Sequence, residues 1–362
     1  MTDEGKKYAG LIALGVLIFI AFLLITGVKF GEICGIFIYS KKEYYMLAIV
    51  ADMGFMGFYA TAWYFLVKIV LKKMKYKDAV IATFIGWFGD MVIPAAFITG
   101  ELIRLYYLKK VYGLEFSKGI ATVIVHRFLS AVAFVSYITL GALYLFLRHQ
   151  KISKDIFIQI AFFAFLGILV ALFGLLIILK IELFEKWGIK FFDHISRNLR
   201  RFKLEKYRKH IEDGLSSFRL SVDLIRENSI NVAIGFLFLM IQWTCGILVP
   251  YIFFISVEHP VSFWVLALAF PIYGVIDNMP IGIPVMAGIF ETFMVSTFIL
   301  LGISKEIAVA VTLLTRSILV VFEAIFAGTV TFVYAPKIFG EIEIRSVKQK
   351  LMEIRSNIIE NK

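Results

Sequence analysis

Apolar stretches long enough to cross a bilayer recur along this chain, and several carry charges inside them. Lipid supplies no hydrogen-bond partners to a backbone, so a spanning segment is either a helix or a strand of a closed barrel. The runs here are long and unbroken, without the alternation of barrel strands. The expected fold is therefore an all-α polytopic membrane protein. At about 20 residues per span, a chain of 362 residues holds roughly eight to ten membrane-associated helical segments. Composition agrees: mean hydropathy is +0.86. Charged residues make up 18%, against about 25% in soluble domains.

The first apolar run, Gly10 to Val28, follows Lys6 and Lys7. It ends in Thr-Gly-Val-Lys without a small-x-small cleavage pattern, so it reads as a retained span. Residues 1–362 form a single integral membrane domain. Its first half is 1–179, followed by a cytoplasmic basic linker at 180–227, a second half at 228–336 and a cytoplasmic tail at 337–362. The linker is expected to form one or two surface helices with a central loop at Asp213-Gly214. Its charge fits the positive-inside bias and attraction to anionic headgroups. Without a base-reading module, it does not indicate nucleic-acid binding.

Positive-inside bias places Lys68–Lys77, Lys109–Lys118, Lys180–Arg226 and both termini in the cytoplasm of a multi-pass cell-membrane protein. The segment Ala79–Thr99 then cannot be a simple crossing. A re-entrant pair of half-helices resolves the parity, with Gly86, Gly89 and Pro94 as the breaks. Broken helix at that depth must be shielded by protein or line a wet cavity. A second broken element carries Pro280, Gly282 and Pro284. The order Asp90, Pro94, Gly100-Glu101 in the first half faces Asp277, Pro280, Pro284, Gly288, Glu291 in the second. That faint symmetry fits an inverted repeat with two re-entrant or broken helices.

Charges within such segments cost roughly 2.5–3.5 kcal/mol each on the insertion scale, so they mark function or partners. Glu101 and Arg104 are three residues apart and share a helix face. Lying toward the interface, Arg104 suits a lipid phosphate; alternatively it snorkels, paired with its own Glu. His126-Arg127 lies deeper, and Arg127 should face a carboxylate, with Glu101, Glu291 or Asp277 as candidates. His126 has the alternative role of a hydrogen-bonded packing residue. Asp277, Glu291, Arg316 and Glu323 make a charged interior in the second half. Trp87 fits hairpin packing or an aromatic belt. No zinc spacing, nucleotide loop or nucleophile elbow occurs, so no metal, cofactor or enzymatic activity is expected. Cys34 and Cys245 are not expected to pair.

Taken in order, Gly100-Glu101-Leu102-Ile103-Arg104, Leu108, Ser117, Ala121 and His126-Arg127 resemble the lysylphosphatidylglycerol synthase transmembrane region family. That family takes in MprF-type flippase domains, UPF0104 membrane proteins and AglD-like membrane domains. Its pattern is Gly-Glu-x-x-Arg, then Glu-Arg and an acidic residue. Pro280, Gly282, Gly288, Glu291, Gly302 and Arg316 extend the resemblance over nearly the whole chain. Two positions depart: His126 stands where Glu is frequent, and Ser130 where Asp is usual. The soluble aminoacyl-transfer domain of lipid-lysylating enzymes is not in this sequence, so lipid lysylation is not expected.

The resemblance implies a lipid flippase or scramblase for a polar-headgroup lipid, either a phospholipid or a polyprenyl-phosphate-linked one. The expected partners are membrane lipids with anionic or polyprenyl-phosphate headgroups, and homo-oligomerisation stays open. Two other readings share the buried charges: a small-solute or ion secondary transporter, and an accessory subunit of a lipid- or glycan-modifying membrane enzyme.

Overall fold

The computed structural model describes residues 41–93, 98–148, 154–198, 208–279 and 283–336, with isolated positions before them. The first apolar run, the tail and the breaks at Pro94, Pro280 and Gly282 lie outside the described residues. The described chain is helical throughout: α1 (Glu43–Val70), α2 (Tyr76–Val92), α3 (Ile98–Tyr112), α4 (Phe116–Leu147), α5 (Lys154–Leu179) and α6 (Ile181–Asn198). There follow α7 (Arg208–Glu227), α8 (Ser229–Ser256), α9 (Phe263–Gly274), α10 (Ile289–Leu300) and α11 (Lys305–Pro336).

Four of these, α1, α4, α8 and α11, are long and apolar enough to cross a membrane. At 1.5 Å per residue, the 28 residues of α1 extend about 42 Å, more than a hydrocarbon core of about 30 Å. By contrast, α9 and α10 have 12 residues each and reach only about 18 Å. The chain is thus an all-α, multi-pass membrane protein.

Small residues bring the long helices together. Ala48, Ala51, Ala60 and Ala62 of α1 are buried, and α1 packs along α8. One core joins α8 to α11, with Phe253, Phe254, Phe290 and Phe298 filling it. A second unites α1, α4 and α8 with α7, through Phe218, Val222 and Ile225. The basic segment is therefore packed onto the bundle. Its two helices are α6 and α7, and Asp213-Gly214 falls inside α7 rather than in a loop. A Cβ at Gly214 would meet nothing, so the helix passes through it at only the propensity cost of a glycine.

The segment after α1 departs from expectation in one respect. Gly86 and Gly89 are not breaks; both lie within the continuous helix α2. Their purpose is proximity. A Cβ on Gly86 would sit 2.7 Å from the Gly100 carbonyl oxygen, so the missing side chain lets α3 approach backbone to backbone. The two helices run antiparallel. Tyr107 and Tyr112 donate to Asp78 near one end, and Gly100 N–H donates to Asp90 at 2.7 Å at the other. Pro284, in turn, opens a single 3-10 turn, Pro284–Met286. Val285 and Met286 hold φ of 48° and 51° there, a left-handed conformation that β-branched Val rarely adopts.

Candidate functional site

Two ion-paired centres face the interior. In the first, Glu101, one turn into α3, accepts from Arg127 Nε of α4 at 2.8 Å. Its other oxygen accepts from Arg104, one turn along the same helix. In the second, Glu291 in the first turn of α10 accepts from Arg316 Nε of α11 at 2.7 Å. Its other oxygen takes the Gly288 N–H at 2.6 Å, half of a capping box. Gly288 has φ of 81°, which only glycine adopts readily. Arg316 also donates to the Val285 carbonyl at 2.5 Å, bracing the left-handed turn. Each centre thus joins a carboxylate at a helix start to an arginine on the next long helix. The sequence separations are 26 and 25 residues.

The two arginines around Glu101 differ in burial, and the order is the reverse of that expected from their position along the chain. Arg104 is only 3% exposed. Its guanidinium lies 4.7 Å from the Trp63 ring centroid and 5.3 Å from that of Tyr59. Arg127 keeps 36% of its side chain exposed, and lines a cavity. His126 is fully buried against Tyr59, with ring centroids 4.5 Å apart. Neither of its ring nitrogens has a hydrogen-bond partner.

That cavity, about 140 Å³, is bounded by Glu101, Arg104, Arg127, Asp90, Ser130 and Gln242. Ser130 accepts from the Trp243 indole at 3.4 Å. The Gln242 side-chain oxygen has no donor, although the residue is buried. A second cavity of about 160 Å³ adjoins it, lined by Arg316, Glu323 and the turn at Val285-Met286. Asp90, Phe55, Trp87 and Phe270 border both. Phe55 packs edge-on against Trp87 and Phe270, making an aromatic partition. Trp87 donates its indole N–H to Glu323 at 2.7 Å.

Asp277 falls in the 3-10 turn Val275–Asn278, and its side chain lies outside the described residues. Tyr59, Trp63, Gln242 and the bordering role of Trp87 were missed as site features. Their only signal is a polar or aromatic residue inside an apolar run. Among the described residues, no group of three or more His, Cys, Asp or Glu side chains could hold a metal ion. Chemically, the site offers guanidinium donors in a confined, partly aromatic space. Such groups recognise planar or tetrahedral oxyanions.

A model of the family described as "Lysylphosphatidylglycerol synthase TM region" matches residues 10–327. The chain is similar to the UPF0104 membrane protein PH1989 of Pyrococcus horikoshii, with 24% identity over 86% of this chain and 92% of that protein. It is also similar to the UPF0104 membrane protein MJ1595 of Methanocaldococcus jannaschii. There the identity is 24% over 83% of this chain and 89% of that protein.

Proposed function

Because this chain belongs to the lysylphosphatidylglycerol synthase TM region family, we propose that it moves a polar-headgroup lipid between membrane leaflets. One observation carries the reading. Arg127 is held by Glu101, yet its side chain keeps 36% exposure and lines a cavity among bilayer-length helices. An arginine buried only for packing would resemble Arg104, closed in by aromatic rings. An anionic headgroup, phospholipid or polyprenyl-phosphate-linked, would bring phosphate oxygens to Arg127 and a donor to Gln242. Its tails would stay in lipid. The role belongs to binding and passage; no covalent chemistry is assigned.

The same reading takes α2 and α3 as a re-entrant hairpin with both ends in the cytoplasm. The two carboxylate–arginine centres are taken as counterparts in an inverted repeat. Their matched spacing supports the repeat, and the shortness of α2, α9 and α10 supports incomplete crossings.

Leaflet exchange tests the function. The purified protein, with its fold verified, is reconstituted in liposomes carrying labelled anionic phospholipid or labelled polyprenyl phosphate. Exchange should exceed that of protein-free vesicles for at least one class and fall in Arg127→Gln. Equal rates with and without protein for both classes would refute lipid translocation.

A further inference from the structure

Three polar side chains with bonds left unmade border a single cavity. Thr83 of α2, Arg104 of α3 and Gln242 of α8 are 1%, 3% and 4% exposed. All three line the cavity that Arg127 also lines. Among the described residues, the Thr83 hydroxyl, Nη1 of Arg104 and the Gln242 side-chain oxygen have no hydrogen-bond partner. A buried polar group left in that state carries its full desolvation penalty. Threonines in helices avoid it by donating one turn back, as Thr61, Thr122, Thr244 and Thr297 do here. Thr83 does not. Unmade bonds from three helices, converging on one space, mark a site built for a guest.

The unmade bonds specify the guest's chemistry. Arg104, stacked on its two rings, has Nη1 in need of an acceptor. The Gln242 oxygen needs a donor, and a threonine hydroxyl serves either way. Asp90, at the same cavity, spends one carboxylate oxygen on the Gly100 N–H and keeps further acceptor capacity. A bare phosphodiester offers only acceptors and leaves Gln242 unmet. An ammonium offers only donors, leaves Arg104 unmet and sets a third cation beside two guanidinium groups. A quaternary ammonium has no N–H or O–H to give. A hydroxyl both donates and accepts, and adjacent hydroxyls can serve several of these side chains together. Phe55, Trp87 and Trp243 supply aromatic wall to the same cavity. Ring faces carry negative charge density, which suits the weakly positive C–H side of a polyol.

We propose that this cavity binds a polyol headgroup, with hydroxyls bonded to Thr83, Arg104 and Gln242 and the phosphate at Arg127. The headgroup is then an inositol- or sugar-like phosphodiester rather than an amine or a bare phosphate. Its attachment to a lipid rests on the lipid-translocation reading; the hydroxyl contacts do not.

Competition binding to the purified protein in detergent, read by native mass spectrometry, tests the contacts without any transport. Phosphatidylinositol is the probe. Phosphatidylpropanol carries the same charge and no headgroup hydroxyl. A site with buried polar groups to satisfy should favour the hydroxylated headgroup by about tenfold. Phosphatidylinositol should also bind more tightly than phosphatidylethanolamine. The inositol advantage should shrink in Gln242→Met and in Thr83→Val, which remove the unmet groups at similar volume. Equal affinity for phosphatidylinositol and phosphatidylpropanol overturns the proposal in wild type alone, whether or not the variants fold. An inositol advantage untouched in both folded variants overturns it too, as does a preference for phosphatidylethanolamine. Soluble glycerophosphoinositol identifies the source of the polyol. It should compete only at far higher concentration than the lipid. Competition as tight as the lipid's leaves the polyol site standing and sinks the lipid reading. Inositol-selective binding without leaflet exchange in liposomes likewise sinks translocation and leaves the site.

Discussion

Arg104 and Arg127 share a single carboxylate and differ in nearly everything else. Arg104 lies over Trp63 and Tyr59 at the edge of the cavity and is almost completely buried. Removing it leaves Glu101 with one partner and leaves a void between two rings. Breaking a buried pair costs about 3–5 kcal/mol, so Arg104→Ala should melt far below wild type in detergent. Arg104→Lys should recover little, because an ammonium lacks the planar face that stacks on an indole. Arg127→Ala should cost less in melting temperature, as Arg104 still neutralises Glu101, while lipid exchange falls. Equal melting losses for the two alanine variants would refute this division of labour. The sequence made both residues visible, through charge inside apolar runs. It hid which was enclosed, because position along a run fixes depth and not which neighbour's rings surround a side chain.

Helix pairing is legible at another level. The backbone approach of α2 and α3 depends on Gly86, so Gly86→Ala must push against the Gly100 carbonyl. Overpacking of this kind costs about 1–3 kcal/mol, and thermal melting should register it. Gly57, where an added Cβ meets nothing, is the control that should tolerate alanine. The glycines were conspicuous in the sequence as punctuation, and punctuation suggests a break; only the neighbouring helix shows that they serve contact. On the outer surface, α6 and α7 are joined by Arg208 with Asp193 and by Arg219 with Glu182 and Glu185. The hydrogen bond from Arg208 holds the Asp193 carboxyl below its ordinary range. A lowered folded value means the contribution is complete above the unfolded pKa, about 3.9, and is lost as pH falls through the folded one. The small stability gap between wild type and Arg208→Gln should therefore be present at pH 7 and close in acid below about pH 4. A gap that is unchanged in acid would remove the ion pair as its source.

Across the whole molecule, span-length runs, helical class and family were readable from apolar length and from a few ordered motif residues. Topology rests on the basic flanks. In a cysteine-free background, Lys73→Cys before α2 and Lys110→Cys near the end of α3 should both react only from the cytoplasmic side. Labelling from opposite sides would make the pair a full crossing and would withdraw the inverted repeat. What the flanks do not encode is the pairing of the two cavities across Phe55, Trp87 and Phe270, which come from three different helices. No local pattern records such a meeting.

The fastening of α2 to α3 has a mechanical meaning. Asp78 grips two tyrosines near one extremity, and at the other Asp90 grips the Gly100 N–H where the two backbones come closest. A strut clamped at both ends would move as one piece, by tilting. A tilt away from α4 would separate Glu101 from Arg127, while Arg104, carried on the same strut, would stay with Glu101. The ion pair that crosses from strut to wall would then be the one to open, and its arginine is the more exposed of the two at the cavity.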